Sequence, residues 1–303
     1  MPAKTDKAIK RVVLAYSGGF ASSNAIHWLM EKYPADVVTV TLDVGQGDDL
    51  AALRARALSC GAGRAHAIDA REELVREFLL PSLVRGPLSE GPGIAEFTRP
   101  LIARKLLEVA RIEGASIVAH ASLDESLDAA IRALDPRVEI LAPARVWKMD
   151  ATELSGYARM HGVPPRPTFE PQCRIDQSLW GRMISFRDLD GRPSEAHLKR
   201  LSTSNEAAQI ALQFEGGVPV SINDVPMPPV ELVESLALIA GGHGVGRLES
   251  TNNGRTVVYD APAAMVLHTA RAALGDRSGV VRLSVLNGGC TVVGRSTEVV
   301  NLA

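Results

Sequence analysis

A short loop near the beginning of the chain carries the residues best suited to binding a charged ligand. It follows an apolar run, leads into a segment with helical spacing, and reads Ala15-Tyr16-Ser17-Gly18-Gly19-Phe20-Ala21-Ser22-Ser23. The two glycines allow a tight turn that presents successive N–H groups, and the serines add hydroxyl donors. Because a helix N-terminus adds positive partial charge, the pattern predicts a cradle for a pyrophosphate group. The loop matches neither the Walker A spacing nor GxGxxG, and taken alone it also fits a plain strand-to-helix turn.

The elements that position this loop alternate between strand and helix. Short runs rich in β-branched residues predict buried parallel strands, and apolar residues at helical spacing predict helices between them. The predicted strands are 11–16, 37–44, 66–70, 115–121 and 138–144, and the predicted helices are 21–32, 48–60, 71–80, 100–112 and 123–134. The repeated strand–helix–strand units predict an α/β fold with a doubly wound, mostly parallel sheet and helices on both faces.

The second half of the chain has a different pattern. A proline-rich stretch, residues 163–173, predicts a linker or an extended crossing segment between the halves. Beyond it the sequence predicts a smaller α+β arrangement of hairpins and helices. The predicted hairpins turn at Gly216-Gly217 and at Asn287-Gly288, and the predicted helices are 229–239 and 261–274.

Composition and charge narrow the class of protein. The 303 residues include 33 basic and 35 acidic side chains, and a net charge of −2 gives no electrostatic footprint for nucleic acid. Hydrophobic residues make up 46% of the chain, as in globular proteins, yet no apolar run approaches the ~20 residues of a membrane span. The first ten residues lack the apolar core of a secretory signal. Three widely spaced cysteines favour reduced thiols over disulfides or a zinc site. We expect a cytoplasmic protein with a small-molecule substrate, no nucleic acid or membrane partner, and no metal-ligand cluster.

A series of motifs gives the sequence a family resemblance. In chain order they are AYSGG, TLDVGQGDDL, DAREELVREF, RPLIARKLLEVA, IDQSLWGR, GGHGVGR and VYDAPAAMVLH. Their order and spacing resemble the argininosuccinate synthase family from about residue 10 to residue 297. The resemblance implies an ATP-pyrophosphatase-type nucleotide-binding domain at 1–165, followed by a synthetase-type α+β domain at 166–303.

The resemblance also implies a reaction. The family adenylates the ureido oxygen of citrulline with ATP and releases pyrophosphate, after which the amino group of aspartate displaces AMP. Such catalysis depends on positioning and on charge stabilisation at the α-phosphate, and Mg²⁺ accompanies the triphosphate. The residues that the resemblance assigns to ATP are Ala15, Tyr16, Ser17, Gly18, Gly19, Ser22 and Ser23.

The two nucleotide loops depart from the family pattern. The family has an aspartate where this chain has Ala21, and a methyl group cannot organise Mg²⁺, so weaker metal-assisted turnover is expected. The family's second loop reads GxTGKGNDQ with an arginine shortly after it. Here residues 121–128 read ASLDESLD, only Asp128 matches, and Ile131 takes the arginine position. The acidic segment favours a helix start capped by Ser122 over a retained phosphate contact.

The positions that would hold citrulline also differ. Before Arg99 the family has a tyrosine and a Thr-Ser pair, and these become Pro87, Ala95 and Glu96 here. A serine that the family has before the IDQSLWGR motif becomes Arg174. The hydroxyl groups that would bind an α-amino acid are therefore missing.

Few candidates for substrate contact remain. Asp128 and Arg174 occupy family contact positions, and Tyr259 matches a substrate-contacting tyrosine but equally fits a structural aromatic at a strand end. Asp43 lies at the C-terminal end of the second predicted strand, where it either lines the nucleotide cleft or caps the strand. His243 lies in a glycine turn without a nucleophilic partner, and no catalytic residue is assigned.

Two further features concern packing and assembly. Asp176, Trp180 and Arg182 match a family motif that we interpret chiefly as structural. The segment from His268 to Val280 is much shorter than in the family, where it includes much of a helix used in tetramer assembly. We expect a homo-oligomer that differs from the family tetramer, or a surface that serves another partner.

Three hypotheses for function follow. The first is an AMP- and pyrophosphate-forming ligase that uses ATP on a substrate other than citrulline, and the kept glycines and serines favour it slightly. The second is a catalytically degenerate family member that binds or regulates, favoured by Ala21 and the altered second loop. The third is argininosuccinate synthase activity itself, which the lost polar contacts disfavour.

Overall fold

The computed structural model describes residues 11–85, 94–164, 173–187, 206–252 and 254–297. It divides into two compact units, each discontinuous in sequence. The first unit takes its residues from 1–43, 47–70 and 98–169, and the second from 44–46, 71–97 and 170–303. The predicted domain boundary at 165/166 falls in a stretch outside the described residues and stays a prediction.

A parallel sheet forms the centre of the first unit. Its strands are β1 (Arg11–Ala15), β2 (Asp36–Asp43), β3 (Arg64–Asp69), β4 (Ile117–His120) and β5 (Glu139–Leu141). All neighbours are parallel, and the spatial order is β3-β2-β1-β4-β5. The predicted doubly wound sheet is therefore confirmed, and its strand order reverses between β1 and β4.

Helices lie between these strands in the chain and follow the last of them. They are α1 (Phe20–Lys32), α2 (Leu50–Ser59), α5 (Ile94–Ile112), α6 (Ser126–Leu134), α7 (Pro143–Val146) and α8 (Ala151–Met160). The predicted start of α2 is confirmed, because the Asp49 carboxylate accepts hydrogen bonds from the N–H groups of Ala51 and Ala52. The short helix α7 and the helix α8 have no counterpart in the sequence prediction.

The helix α5 begins earlier than predicted. The sequence places its start at Pro100, but the helix already begins at Ile94 and Pro100 lies inside it. The physical reason is the spacing of its buried face, since Phe97 and Leu101 are four residues apart and both are buried. Pro100 is the seventh residue of this helix and has no N–H to donate to the carbonyl four residues before it, so the buried face and not the backbone hydrogen bonding favours the helix at this point.

A buried carboxylate holds the amino ends of the strands together. Glu113 follows α5, and its side chain is only 3% exposed. It pairs with Arg11 at 3.2 Å, Arg64 at 2.8 Å and His66 at 2.8 Å, and so links the segments that begin β1 and β3. The hydrogen bond from His66, with the charges of Arg64 and Arg11, lowers the pKa of Glu113 despite its burial.

The second unit contains two antiparallel sheets. One has the order β10-β9-β8-β13-β14 and the other the order β11-β12-β7-β6. The strands of the first are β8 (Ala208–Glu215), β9 (Val218–Ile222), β10 (Val225–Pro226), β13 (Gly279–Leu286) and β14 (Gly289–Thr297). Those of the second are β6 (Cys173–Ser178), β7 (Gly181–Arg187), β11 (Arg247–Asn252) and β12 (Arg255–Asp260).

Two helices of the second unit agree with the predicted helices 229–239 and 261–274, whereas the single helix predicted over 71–80 is divided into shorter segments. The helices of this unit are α3 (Arg71–Leu74), α4 (Leu80–Ser82), α9 (Pro229–Gly241) and α10 (Pro262–Leu274), with a π-helical turn over Val75–Leu79 between the first two. Both predicted hairpins are confirmed, and Asn287 and Gly288 have positive φ angles of 48° and 83° at the second turn. Within the described residues, none of the helices has both the length and the apolar character required to cross a membrane.

A buried aromatic pair lies in the core of the second unit. Trp180, in the turn between β6 and β7, is fully buried and contacts His268 of α10 edge-on, with ring centroids 5.9 Å apart. Neither ring nitrogen of His268 has a hydrogen-bond partner among the described residues. Burial lowers the pKa of His268, so this imidazole is neutral in the folded protein at neutral pH.

This pair predicts a pH-dependent stability. When the pH falls below about 6.5, the ordinary histidine pKa, the unfolded chain takes up a proton at His268 that the folded chain resists. The free energy of unfolding should therefore decrease between pH 7.5 and pH 5.5. Urea unfolding of the wild type and of His268→Leu at both pH values measures the effect, and the variant should lose less stability on acidification. An equal loss in both proteins would contradict the role assigned to His268.

Candidate functional site

The loop predicted to hold a pyrophosphate group, residues 17–23, is called the phosphate loop. It lies at the carboxyl end of β1, and β2 holds the residue before it. The N–H of Tyr16 donates to the carbonyl of Val40 at 2.8 Å, and Thr41 Oγ1 donates to the carbonyl of Tyr16 at 3.0 Å. The Tyr16 ring is buried, and burial raises the pKa of its hydroxyl group. The loop therefore leaves the sheet from a fixed point.

Glycine is required at the turn itself. Gly18 has a φ angle of +68°, and a Cβ atom there would lie 2.2 Å from Cδ2 of Leu53 on α2. Gly19 is the N-cap of α1 in an extended conformation, and the N–H of Ser23 donates to its carbonyl at 3.0 Å. The N–H groups of Ala21 and Ser22 lie in the first turn of α1, before the first hydrogen bond within the helix. They therefore have no acceptor within the helix, as is typical of N–H groups that bind an anion.

The serine side chains of the loop divide into two groups. Ser17 is exposed, and its hydroxyl lies 3.4 Å from the N–H of Gly19 and 3.3 Å from the hydroxyl of Ser22. Ser22 is buried and donates to the carbonyl of Gly19 at 3.1 Å, while Ser23 is buried and bonds to the hydroxyl of Tyr16 at 3.1 Å. Ser17 is thus the serine best placed to meet a ligand, and ligand contact by Ser22 and Ser23 stays a prediction.

A second loop follows β4, and a carboxylate organises it. Asp124 accepts hydrogen bonds from the hydroxyl of Ser122 at 3.2 Å, from the N–H of Ser126 at 3.1 Å and from the hydroxyl of Ser126. The prediction that Ser122 caps α6 is wrong, because Asp124 takes the hydroxyl of Ser122 and also satisfies the first amide of the helix. The helix consequently begins at Ser126 and not at residue 123.

An arginine from α5 reaches the same carboxylate. Arg99 Nη2 lies 3.3 Å from Asp124 Oδ2, and the two side chains are 25% and 35% exposed. An ion pair at this exposure contributes little to stability, because water screens it. It does fix the direction of the guanidinium group at the carboxyl edge of the sheet. Neither Asp124 nor Arg99 is among the site residues predicted from the sequence, where only their opposite charges indicate that they could pair.

Asp128, the matching residue of the second family loop, is held inside the first unit. Its carboxylate accepts from Arg145 Nη2 at 2.7 Å and lies 3.0 Å from His120 Nε2. The N–H of Ser122 donates to His120 Nδ1 at 3.1 Å, so the ring proton is on Nε2 and is donated to Asp128. Burial lowers the pKa of His120, although the charge of Asp128 opposes this effect. The structure thus gives Asp128 two internal partners that sequence spacing could not reveal.

The two loops lie at one point of the sheet. β1 and β4 are adjacent, with Ala15 opposite His120, and the chain leaves these strands toward opposite sides of the sheet. In open α/β sheets, ligands bind outside the carboxyl ends of the strands at this reversal. The phosphate loop, residues 17–23, and the Asp124 loop, residues 121–125, therefore border one candidate site.

Other predicted residues lie elsewhere in the fold. Tyr259 is in β12, where it pairs with Met183 and Leu248, and it is half-buried. Arg174 is in β6 opposite Ser185, and its side chain lies outside the described residues, as do Pro87 and the side chain of Ala95. Neither Tyr259 nor Arg174 belongs to the first unit, so their assignment to substrate stays a prediction.

The residues of the site do not fit a protein-held Mg²⁺. No cluster of three His, Cys, Asp or Glu side chains that could hold a metal ion occurs in the described part of the chain. Ala21 supplies no ligand, and the Asp124 and Asp128 carboxylates are engaged by arginines. A magnesium ion at this site would therefore be held chiefly by the phosphates of a nucleotide.

The fold and the loop define an α/β protein of the HUP, or ATP-pyrophosphatase-like, class. Family models for the arginosuccinate synthase N-terminal HUP domain and the arginosuccinate synthase C-terminal domain match residues 11–164 and 174–278. The chain belongs to the argininosuccinate synthase family. Argininosuccinate synthases of Bacillus thuringiensis (strain Al Hakam) and Bacillus anthracis are each 40% identical to it, over 88% of this chain and 71% of the relative.

A solved structure is similar at a lower level. The U34-tRNA thiolase NcsA from Methanococcus maripaludis is 15% identical and matches with a TM-score of 0.37, over 54% of this chain and 61% of that chain. A likeness this distant carries no argument about function.

Proposed function

We propose that this chain is an ATP-dependent ligase that forms AMP and pyrophosphate and acts on an acceptor other than citrulline. The observation that carries the proposal is the contrast between its two loops. The phosphate loop keeps the glycine geometry and helix start that suit a polyphosphate, whereas the Asp124 loop is acidic and tied to internal partners.

In this proposal the phosphate loop binds and orients ATP. The amides at the start of α1 and the exposed hydroxyl of Ser17 contact the phosphates, and the helix dipole favours their negative charge. Holding the α-phosphate against an acceptor oxygen supplies most of the rate acceleration for such a transfer. The family membership supports ATP as the nucleotide.

The altered acceptor follows from the second loop. Counted along the family motif GxTGKGNDQ, Asp124 stands at a glycine and Glu125 at the lysine, so a positive charge is replaced by two negative charges. Asp128 is kept, but its carboxylate is buried against His120 and Arg145. The site lacks the hydroxyl groups that would bind an α-amino acid and carries the added negative charges of Asp124 and Glu125. Both differences favour an acceptor other than citrulline.

ATP–pyrophosphate exchange tests the proposal. With ATP, Mg²⁺ and a panel of ureas, amides and carboxylates, we expect exchange with a compound other than citrulline, at least tenfold faster than with citrulline. Ser17→Ala should weaken ATP binding about fivefold, the effect of one lost hydrogen bond. Ser59→Ala is the matched control, because Ser59 is exposed at the end of α2, outside the phosphate loop, and its hydroxyl donates to the carbonyl of Arg56.

Each contrary outcome has a distinct meaning. Citrulline as the best acceptor would identify ordinary argininosuccinate synthase activity and overturn the altered acceptor. No nucleotide binding by calorimetry, with folded protein, would favour a binding or regulatory family member without catalysis.

A further inference from the structure

Arg99 has the chemistry to receive an anion, and one side of it is already occupied. It lies in the second turn of α5, and its described polar contact is the one that Nη2 makes with Asp124. A guanidinium group presents five N–H donors in a planar fork that matches a carboxylate. A ligand carboxylate at this edge of the sheet would therefore bind to the guanidinium group of Arg99.

Asp124 competes for that position as a fixed carboxylate. Three hydrogen bonds from Ser122 and Ser126 hold it, so these bonds oppose its displacement from Arg99 by a ligand. The side chain of its neighbour Glu125 is 86% exposed, and its Oε1 lies 3.7 Å from Nη1 of Arg145. The loop opposite the phosphate loop thus presents carboxylates where the family motif has glycine and lysine.

We infer that Asp124 occupies Arg99 in place of a ligand carboxylate, and that this ion pair excludes acceptors bearing a carboxylate at this position. The acceptor that the site takes therefore presents a neutral or cationic group to the Asp124 loop. A second carboxylate would be repelled by Asp124 and would have to displace it from Arg99. This inference rests on the proposed function, because it names the substrate class of the same site.

Asp124→Asn tests the pair directly. Asparagine keeps a side-chain oxygen that can accept from the N–H of Ser126, but it removes the charge that neutralises Arg99. Succinate is the probe, because it is a simple dicarboxylate, and calorimetry without nucleotide measures its binding. We expect Asp124→Asn to bind succinate at least tenfold more tightly than the wild type, and Arg99→Gln/Asp124→Asn to lose this gain.

Glu125→Gln is the matched control. It removes the same charge one residue away, from an exposed side chain that does not contact Arg99. We expect it to leave succinate binding within twofold of the wild type. Equal gains in Asp124→Asn and Glu125→Gln, or no gain in Asp124→Asn, would overturn the inference. ATP binding and ATP–pyrophosphate exchange by the wild type are measured separately, so failure of the proposed function is distinguishable from failure of this selectivity.

Discussion

Gly18→Ala is expected to lower the affinity for ATP at least tenfold and to destabilise the protein. An alanine at φ +68° is strained by ~1–2 kcal/mol. Its Cβ would also lie 2.2 Å from Leu53 Cδ2, so either the buried Leu53 side chain or the loop must shift. Under the proposed function the loop amides bind phosphate in one arrangement, so a shift of the loop costs affinity as well as stability. Isothermal calorimetry with an ATP analogue and urea unfolding measure the two effects.

Two variants separate strain from steric conflict. Gly114 has a φ angle of +64° with nothing within 4 Å of its Cβ position, so Gly114→Ala should lose stability through strain alone and keep ATP affinity. Leu53→Ala combined with Gly18→Ala removes the close contact and should recover part of the lost affinity. If Gly18→Ala binds ATP as well as Gly114→Ala does, the phosphate loop is not the nucleotide site.

The sequence predicts most of the first unit because its signals are local. Val12, Val13 and Leu14 form an uninterrupted apolar run, and all three are fully buried in β1. Asp49 precedes α2 and caps it, as the sequence predicts. The strand–glycine–helix order likewise places the phosphate loop at the carboxyl end of β1, since each of these features depends on a few consecutive residues.

The second antiparallel sheet shows where local signals fail. In the strand β11, Arg247–Asn252, every side chain except Leu248 is polar and most are exposed, so it lacks the apolar alternation by which strands are recognised. Its pairing with β12 satisfies the backbone and includes a two-point ion pair between Arg247 and Asp260, with distances of 2.6 and 2.7 Å. Contacts of this kind depend on tertiary pairing, which the order of residues does not show.

The position of the candidate site can be predicted from the sequence, but the hydrogen-bond and ion-pair partners of its side chains cannot. The sequence identifies the serines of the phosphate loop as donors, yet Ser23 bonds to Tyr16 in the core and Ser22 to the backbone of its own loop. It also identifies Asp128 but not Arg145, which lies 17 residues later and reaches it across the fold. Side-chain contacts between distant segments therefore decide which candidates remain available to a ligand.

Asp128→Asn is expected to lower the free energy of unfolding by about 3 kcal/mol at pH 7, which is typical of removing one partner of a buried ion pair. The Asp128 side chain is 5% exposed and that of His120 is 2% exposed, so water cannot replace the lost carboxylate. Burial acts to raise the pKa of Asp128, but the hydrogen bond from Arg145 and the contact with His120 outweigh it and lower the pKa. Urea unfolding of the wild type and the variant measures the difference.

The sign of the pH dependence distinguishes this mechanism from a simple packing defect. A carboxylate with a lowered pKa stabilises the folded state above its unfolded pKa of about 3.9, and that stabilisation is lost as the pH falls through the folded value. The difference between wild type and Asp128→Asn should therefore be full at pH 7 and should shrink below about pH 4. Asp150→Ala, which removes an exposed helix cap, should cost only ~1 kcal/mol. Because Arg145→Gln removes the same ion pair, the double variant should be more stable than the sum of the single losses predicts. Strict additivity would mean that Asp128 and Arg145 act independently, and the buried pair would then explain neither the stability nor the unavailability of Asp128 to substrate.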